Sequence, residues 1–163
     1  MMNKKTLTYI AVILLGIVGI ASFLDDINNN GTWYGANDYT HVIQTDSTVQ
    51  KSIETACLDC HSNFTNAVWY DNLVPVSFLI KHHVEEGKHE LNFSEFASYS
   101  LKKQKHKLHE IAEQLEEAEM PIKSYVLMHP TANLSTSQRQ AIIDWSKNAI
   151  QQLEQKAAQK NQN

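Results

Sequence analysis

Three residues in one run of five carry the clearest chemistry in the chain: Cys57-Leu58-Asp59-Cys60-His61. C-x-x-C-H is the attachment signature of c-type haem. Each thiol adds to one haem vinyl group, so both cysteines become thioethers, and the adjacent histidine is placed to ligate the iron. The chain has only two cysteines and both lie in this motif. A bare C-x-x-C can also be a thioredoxin-like redox pair, but that chemistry needs a βαβ setting, and no strand alternation is visible here. Two cysteines with one or two histidines can hold zinc. A zinc site would want a second paired half, and His82-His83 is a poor one, because consecutive helix residues point to different faces.

The second axial position has several candidates. Met120 stands in Glu119-Met120-Pro121, where Pro121 bars the preceding helix from continuing and fixes the strap. A thioether is a soft ligand that favours ferrous iron, so His/Met ligation raises the reduction potential. His83, His129 and Met128 are the alternatives. His83 shares a helical face with Val76, Leu79 and Ile80, which points it toward the core. His41, His82, His89, His106 and His109 sit in polar surroundings and read as solvated. Trp69 and Tyr70 follow the motif, and their N–H and O–H groups could bond a haem propionate while the rings cover the porphyrin edge. The competing reading is core packing for Trp69 and surface exposure for Tyr70.

These side chains must be positioned by helices. Apolar spacing predicts helices over 47–58, 75–87, 98–119 and 136–155. Asp46 or Ser47 can cap the first. Pro75 opens the second and Gly87 closes it as a C-terminal cap. Ser135 with Gln138 resembles a capping box for the fourth. A shorter turn starts at Asn92, with Glu95 three residues on. Trp145 and Ile142 are expected to face the first of these helices. The expected fold is all-α: a cytochrome c-like small helical domain around one haem, preceded by an N-terminal transmembrane or signal helix. Such a domain has little core of its own, and a central cofactor would supply what is missing.

The N-terminal stretch is of a different kind. From Leu7 to Leu24 no residue is charged, Lys4 and Lys5 precede the run, and Asp25 and Asp26 follow it. The positive-inside rule then leaves the first residues cytoplasmic and exports the remainder. The run is long for a signal peptide and is read as an anchor, although Gly19-Ile20-Ala21 offers a small-x-small cleavage triplet. The expected organisation is 1–24 anchor or signal, 25–45 polar linker, 46–155 haem domain and 156–163 polar tail. Lys plus Arg is 14 against 18 for Asp plus Glu, which disfavours nucleic acid as a partner. On the third domain helix, lysines at 102, 103, 105 and 107 precede a run of glutamates. A solvated face is the plainer reading, and a basic patch for an acidic redox partner is the functional one.

With these motifs in hand, the chain resembles the bacterial haem-binding-domain proteins, single-haem c-type cytochromes with an N-terminal anchor. The resemblance is carried by TACLDCHSNFT (55–65), VWYDNLVPVSFLIKHHVEEGKHELNFSEF (68–96), EMPIKSYVLMHP (119–130) and LSTSQRQAIIDWSK (134–147). It leaves residues 1–46 outside. It implies one covalent haem c on Cys57 and Cys60, with His61 as proximal ligand, and it supports Met120 as distal ligand. The expected function is one-electron transfer on the outer side of the cytoplasmic membrane, with redox proteins of a membrane or periplasmic chain as partners. The linker would let the domain swing between them. The alternatives are a haem-based sensor with a displaceable distal ligand and, last, a peroxidase-like enzyme using His83 over an open iron.

Overall fold

The computed structural model describes residues 3–24 and 31–160. Among the described residues all regular structure is helical: α1 (Lys4–Leu24), α2 (Ser47–Ala56), α3 (Val76–Glu90), α4 (Leu101–Glu116), α5 (Lys123–Met128) and α6 (Thr136–Lys160), with short 3₁₀ turns at Tyr39–His41, Phe93–Ser98 and Pro130–Ala132.

The apolar stripes explain the packing. Leu108, Ala112 and Leu115 recur at helical spacing on α4, as do Ile142, Trp145, Ala149 and Leu153 on α6, and all seven are buried in one core. Val49, Ile53 and Ala56 of α2 close that core from the other side of α6. The caps form as their residue types require. Asp46 accepts from the N–H groups of Thr48 (2.9 Å) and Val49 (3.1 Å). Ser135 and Gln138 exchange hydrogen bonds, backbone N–H to side chain, in both directions (2.9 and 3.2 Å). Asn92 caps the 3₁₀ turn by accepting from Ser94 N–H at 3.0 Å. Glu95 does not reach back to Asn92. Its carboxylate takes the Asn63 amide at 2.8 Å instead.

Three expectations are corrected. Residues 31–45 are not a solvated linker. Tyr39 and Ile43 are core residues, and the Tyr39 ring meets Phe93 and Trp145 edge-on at centroid distances of 5.2 and 5.9 Å. Trp145 Nε1 donates back to Gln44 O (3.2 Å) and Thr45 Oγ1 (3.0 Å), so α6 pins this segment as well as facing α2. Polar composition hid two apolar anchors four residues apart. The part of the expected linker at 25–30 lies outside the described residues. Second, the expected tail is helical to Lys160, and only 161–163 lie outside the described residues. Third, α3 runs through Gly87 to Glu90, so Gly87 is a helix-interior residue and not a cap.

α1 is 21 residues long. Its side chains at 18 and 20–24 lie outside the described set, and so does the Ala21 end of the possible cleavage triplet. Among the described residues no helix is long and apolar enough to cross a membrane. The described apolar side chains of α1, Leu7 and Ile10 to Leu15 and Ile17 among them, are exposed.

The basic run on α4 is largely engaged. Lys107 pairs with Glu110 at 2.6 Å and with Glu90 of α3 at 3.3 Å, Lys105 pairs with Glu154 of α6, and Lys103 sits over the Tyr99 ring at 3.8 Å. These lysines tie α4 to its neighbours. A helix dipole favours acids first and bases last, and the reversed order on α4 is offset by these partners.

Because Tyr39 is fully buried between two aromatic rings, Tyr39→Ala is expected to destabilise the protein by about 3–5 kcal/mol, the range for removing a large core aromatic. A linker residue would change stability by less than about 0.5 kcal/mol. Urea unfolding of the full chain separates the two.

Candidate haem site

Cys57 is the residue at which α2 ends, so both cysteines lie in the turn that follows the helix. His61 N–H returns to Cys57 O at 2.9 Å and closes the loop. Asp59, between the cysteines, is buried. Its side chain accepts from Asn66 Nδ2 (2.9 Å) and from Tyr125 O–H (2.7 Å), while its carbonyl accepts from Thr65 Oγ1 (2.7 Å). The motif is thus held from within by a variable position of its own sequence. Burial together with the Asp59 carboxylate raises the Tyr125 hydroxyl pKa well above its ordinary value, so it stays a donor.

His61 is fixed by α3. Its Nδ1 lies 2.9 Å from the carbonyl oxygen of Gly87 and 3.1 Å from that of Leu91. Both neighbours are acceptors, so Nδ1 carries the proton and Nε2 the lone pair. That is the arrangement of a metal-ligating imidazole whose second nitrogen is oriented by backbone. Burial pushes the His61 pKa below its ordinary value, and the two carbonyls oppose this only in part, so the ring is kept neutral. Gly87 is needed for this geometry. A Cβ there would stand 2.6 Å from the Cys60 carbonyl oxygen and 3.0 Å from the Cys60 Cβ. The signal was present in the sequence, a glycine inside a helical pattern, which reads as a cap or as a close approach.

Cys57, Cys60 and His61 open onto one cavity of about 860 Å³, and Met120 and His83 line it too. Ile53, Ala56, Leu91, Phe93, Ile111, Leu115 and Ile142 make its apolar wall, while Glu86, His89, Glu90 and Glu110 stand among its polar residues. The volume is that of a ligand site. An apolar wall, two thiols and a neutral, backbone-held imidazole fit a covalently attached haem. Burial raises the Cys57 thiol to about 12 and the Cys60 thiol to about 11. Both are therefore protonated near neutrality, unlike the low-pKa thiolates of a redox C-x-x-C pair. Among the described residues no three His, Cys, Asp or Glu side chains gather as a protein-only metal site would need.

Met120 reaches the cavity through a built turn. α4 ends in a Schellman motif, with Glu119 N–H to Gln114 O at 3.0 Å and Ala118 N–H to Leu115 O at 3.3 Å. Ala118 takes the left-handed position with φ 59°, where glycine is usual, at a cost of about 1 kcal/mol or more. Arg139 of α6 then clamps the strap. Its Nη1 donates to the carbonyls of Leu115 (3.1 Å) and Met120 (2.9 Å). Arg139 is the chain's only arginine. Local sequence patterns give it no role, and its singularity is the one signal that points to it.

The other expected site residues fall elsewhere. Trp69, expected at the haem edge, does not line the haem cavity and is 79% exposed, whereas Tyr70 is buried, so the competing reading of a packed Trp69 and an exposed Tyr70 is reversed as well. Tyr70 O–H reaches Nε2 of His129 at 3.1 Å, and Nδ1 of His129 lies 3.2 Å from Tyr125 O. Both nitrogens of His129 are thus engaged, and its ring stacks on Tyr125 at 4.1 Å. His129 and Met128 line a second, smaller cavity and not the one that Met120 faces. His83 lies on the wall between the two. Asn63 and Asn92, both in Asn-x-Ser/Thr triplets, are bonded to each other at 2.7 Å and serve the loop after the motif.

A family model described as a haem-binding domain matches residues 15–148, most of the 163-residue chain. The chain belongs to this haem-binding-domain family. The match begins well upstream of residue 47, in keeping with the packed segment at 31–45. No curated protein and no solved structure matches the chain.

Gly87→Ala gives a test with an unusual sign. In an ordinary helix interior it would stabilise by about 1 kcal/mol. Here the added methyl collides with the Cys60 backbone, and a net destabilisation of about 1–3 kcal/mol is expected from overpacking. Thermal or urea unfolding of the variant reads the sign directly.

Proposed function

We propose that this member of the haem-binding family is a one-electron carrier with a single haem c, held by an N-terminal anchor to the outer side of the cytoplasmic membrane. It is not an enzyme in this reading, and it exchanges electrons with redox proteins of a membrane or periplasmic chain. The observation that carries the reading is the single cavity onto which Cys57, Cys60, neutral His61 and Met120 all open.

When bound, the haem supplies a one-electron iron couple. Cys57 and Cys60 would hold it by thioether bonds, and His61 Nε2 and Met120 Sδ would bind its iron. The Gly87 and Leu91 carbonyls keep the His61 ring in one tautomer and one orientation. The apolar part of the wall would shield the haem face from water. The Arg139 clamp holds the Met120 strap in place, which limits rearrangement when charge changes. The anchor reading is supported by the uncharged run from Leu7 to Leu24. The described apolar side chains of α1 face every direction and are exposed, and a helix apolar all round is stable only when buried or in lipid.

A second reading, a sensor or small-ligand module with a displaceable distal ligand, is favoured by one observation: His83 lines the same cavity as Met120 and is half-buried. The spectrum separates the two, because a carrier is six-coordinate and low-spin in both oxidation states.

Expressed with a c-type attachment system, the chain is expected to retain haem through acid-acetone extraction and to give the c-type pyridine spectrum. Cys57→Ala with Cys60→Ala should lose all extraction-resistant haem, and retention would sink the covalent assignment. Met120→Ala should convert the spectrum to high-spin or water-ligated iron and lower the reduction potential. An unchanged spectrum would transfer the axial role to His83.

A further inference from the structure

Exposed apolar side chains gather at the second cavity, whose lining also includes the buried Asp59 and Asp71. Trp69, Leu73, Val76, Leu79 and Met128 are 79, 47, 40, 52 and 49% accessible. Val76, Leu79 and Met128 line one groove together with Tyr70, and the Trp69 ring meets Tyr70 edge-on at 5.4 Å. Leu73 is held at the start of α3 by its carbonyl, which accepts Ser77 N–H at 2.9 Å. None of the five carries a charge. Large apolar patches left in water mark interaction sites more often than not. An exposed tryptophan beside such a groove suits a layer that is apolar at one end and wet at the other.

The position of this patch relative to the anchor is constrained by chain length. α1 ends at Leu24, and the domain takes hold of the chain at Gly31. A Cβ on Gly31 would lie 2.5 Å from the Asn63 Cβ, and two residues on Trp33 donates from Nε1 to Phe64 O at 2.8 Å. Seven residue steps from Leu24 to Gly31 span at most roughly 25 Å. A folded domain of this size has a radius of gyration of roughly 14 Å, so it is wider than its tether is long. The face that holds Gly31 must then stay close to the bilayer. Phe64, which Trp33 touches edge-on at 5.9 Å, is only five residues before Trp69, at most roughly 18 Å away.

Resting on the reading of α1 as a membrane anchor, we propose that the Trp69, Leu73, Val76, Leu79 and Met128 patch docks into the interfacial layer of the bilayer that holds α1. The domain then lies against the membrane on this face and does not swing on a long linker. The haem cavity shares a wall with the patch groove at Cys60, His83, Ile122 and Tyr125, so docking sets which side of the haem site faces soluble partners.

The test uses the full haem-loaded chain, reduced, in lipid nanodiscs, with 5-fluorotryptophan at its three tryptophans. Trp69→Phe assigns the resonance. A gadolinium-chelate lipid is expected to broaden the Trp69 signal several-fold more than that of buried Trp145, and a soluble gadolinium chelate is expected to leave Trp69 sharp. Leu73→Ser with Leu79→Ser should weaken the lipid effect while the haem spectrum stays unchanged. Nanodisc-bound protein in which Trp69 is broadened by the soluble chelate, and not by the lipid one, would overturn the proposal. So would concentration-dependent protection of Trp69 independent of lipid, which would mean a protein occupant. Protein that does not enter nanodiscs at all would remove the anchor reading and the proposal with it.

Discussion

The constraint on which the haem site depends is the contact between Gly87 and the Cys60 backbone. One residue does two things there: its missing side chain lets α3 lie on the C-x-x-C-H turn, and its carbonyl accepts from His61 Nδ1. Any other residue would push the helix away, and the imidazole would lose its orienting partner. Leu91 O, one helical turn later, completes the hold, and Phe93 N–H bonds His61 O at 2.8 Å, so the chain leaving α3 stays bound to the motif. The neutral state of His61 follows from that burial and from having acceptors only at Nδ1.

The opposite side of the cavity is built by other means. A left-handed Ala118, a Schellman turn and the Arg139 clamp bring Met120 around the end of α4. The strained φ is offset by a guanidinium that satisfies two carbonyls at once. The two sides therefore differ in kind, a close helix–backbone contact for histidine and a charged clamp on a strap for methionine. Between them, the Asp59–Tyr125–His129–Tyr70 network ties the motif to α5 and its end and uses up the histidine that could have competed for iron.

The N-terminal part of the domain is bound to the same centre. Ser94 Oγ donates toward the carbonyls of Thr32 (3.0 Å) and Trp33 (2.8 Å), and it accepts Asn63 N–H at 3.1 Å, so one hydroxyl joins the entering chain, the loop after the motif and the 3₁₀ turn. This short connection turns a polar-looking stretch into a structural part of the site, and it limits how far the domain stands from α1.

Much of this was legible in the sequence, because it depends on local patterns. The C-x-x-C-H spacing points to haem, and the haem-binding family agrees with it. The four main helices follow from apolar recurrence, and Asp46, Ser135–Gln138 and Asn92 cap as side chains of their type do near any helix start. Met120 was legible as a loop methionine before proline. What could not be read depends on groups far apart in the chain. Gly87 looks like a cap until Cys60 is laid against it. Trp69 and Tyr70 look alike beside the motif, yet one is exposed and the other buried, because burial is decided by distant elements and not by the residues beside them. His129 looks like a free ligand until Tyr70 and Tyr125 occupy both its nitrogens. Tyr39 looks like linker until Phe93 and Trp145 close on it. Periodicity encodes which face of an element is apolar, but which distant surface covers that face is a tertiary choice, and here that choice decides how the site is held.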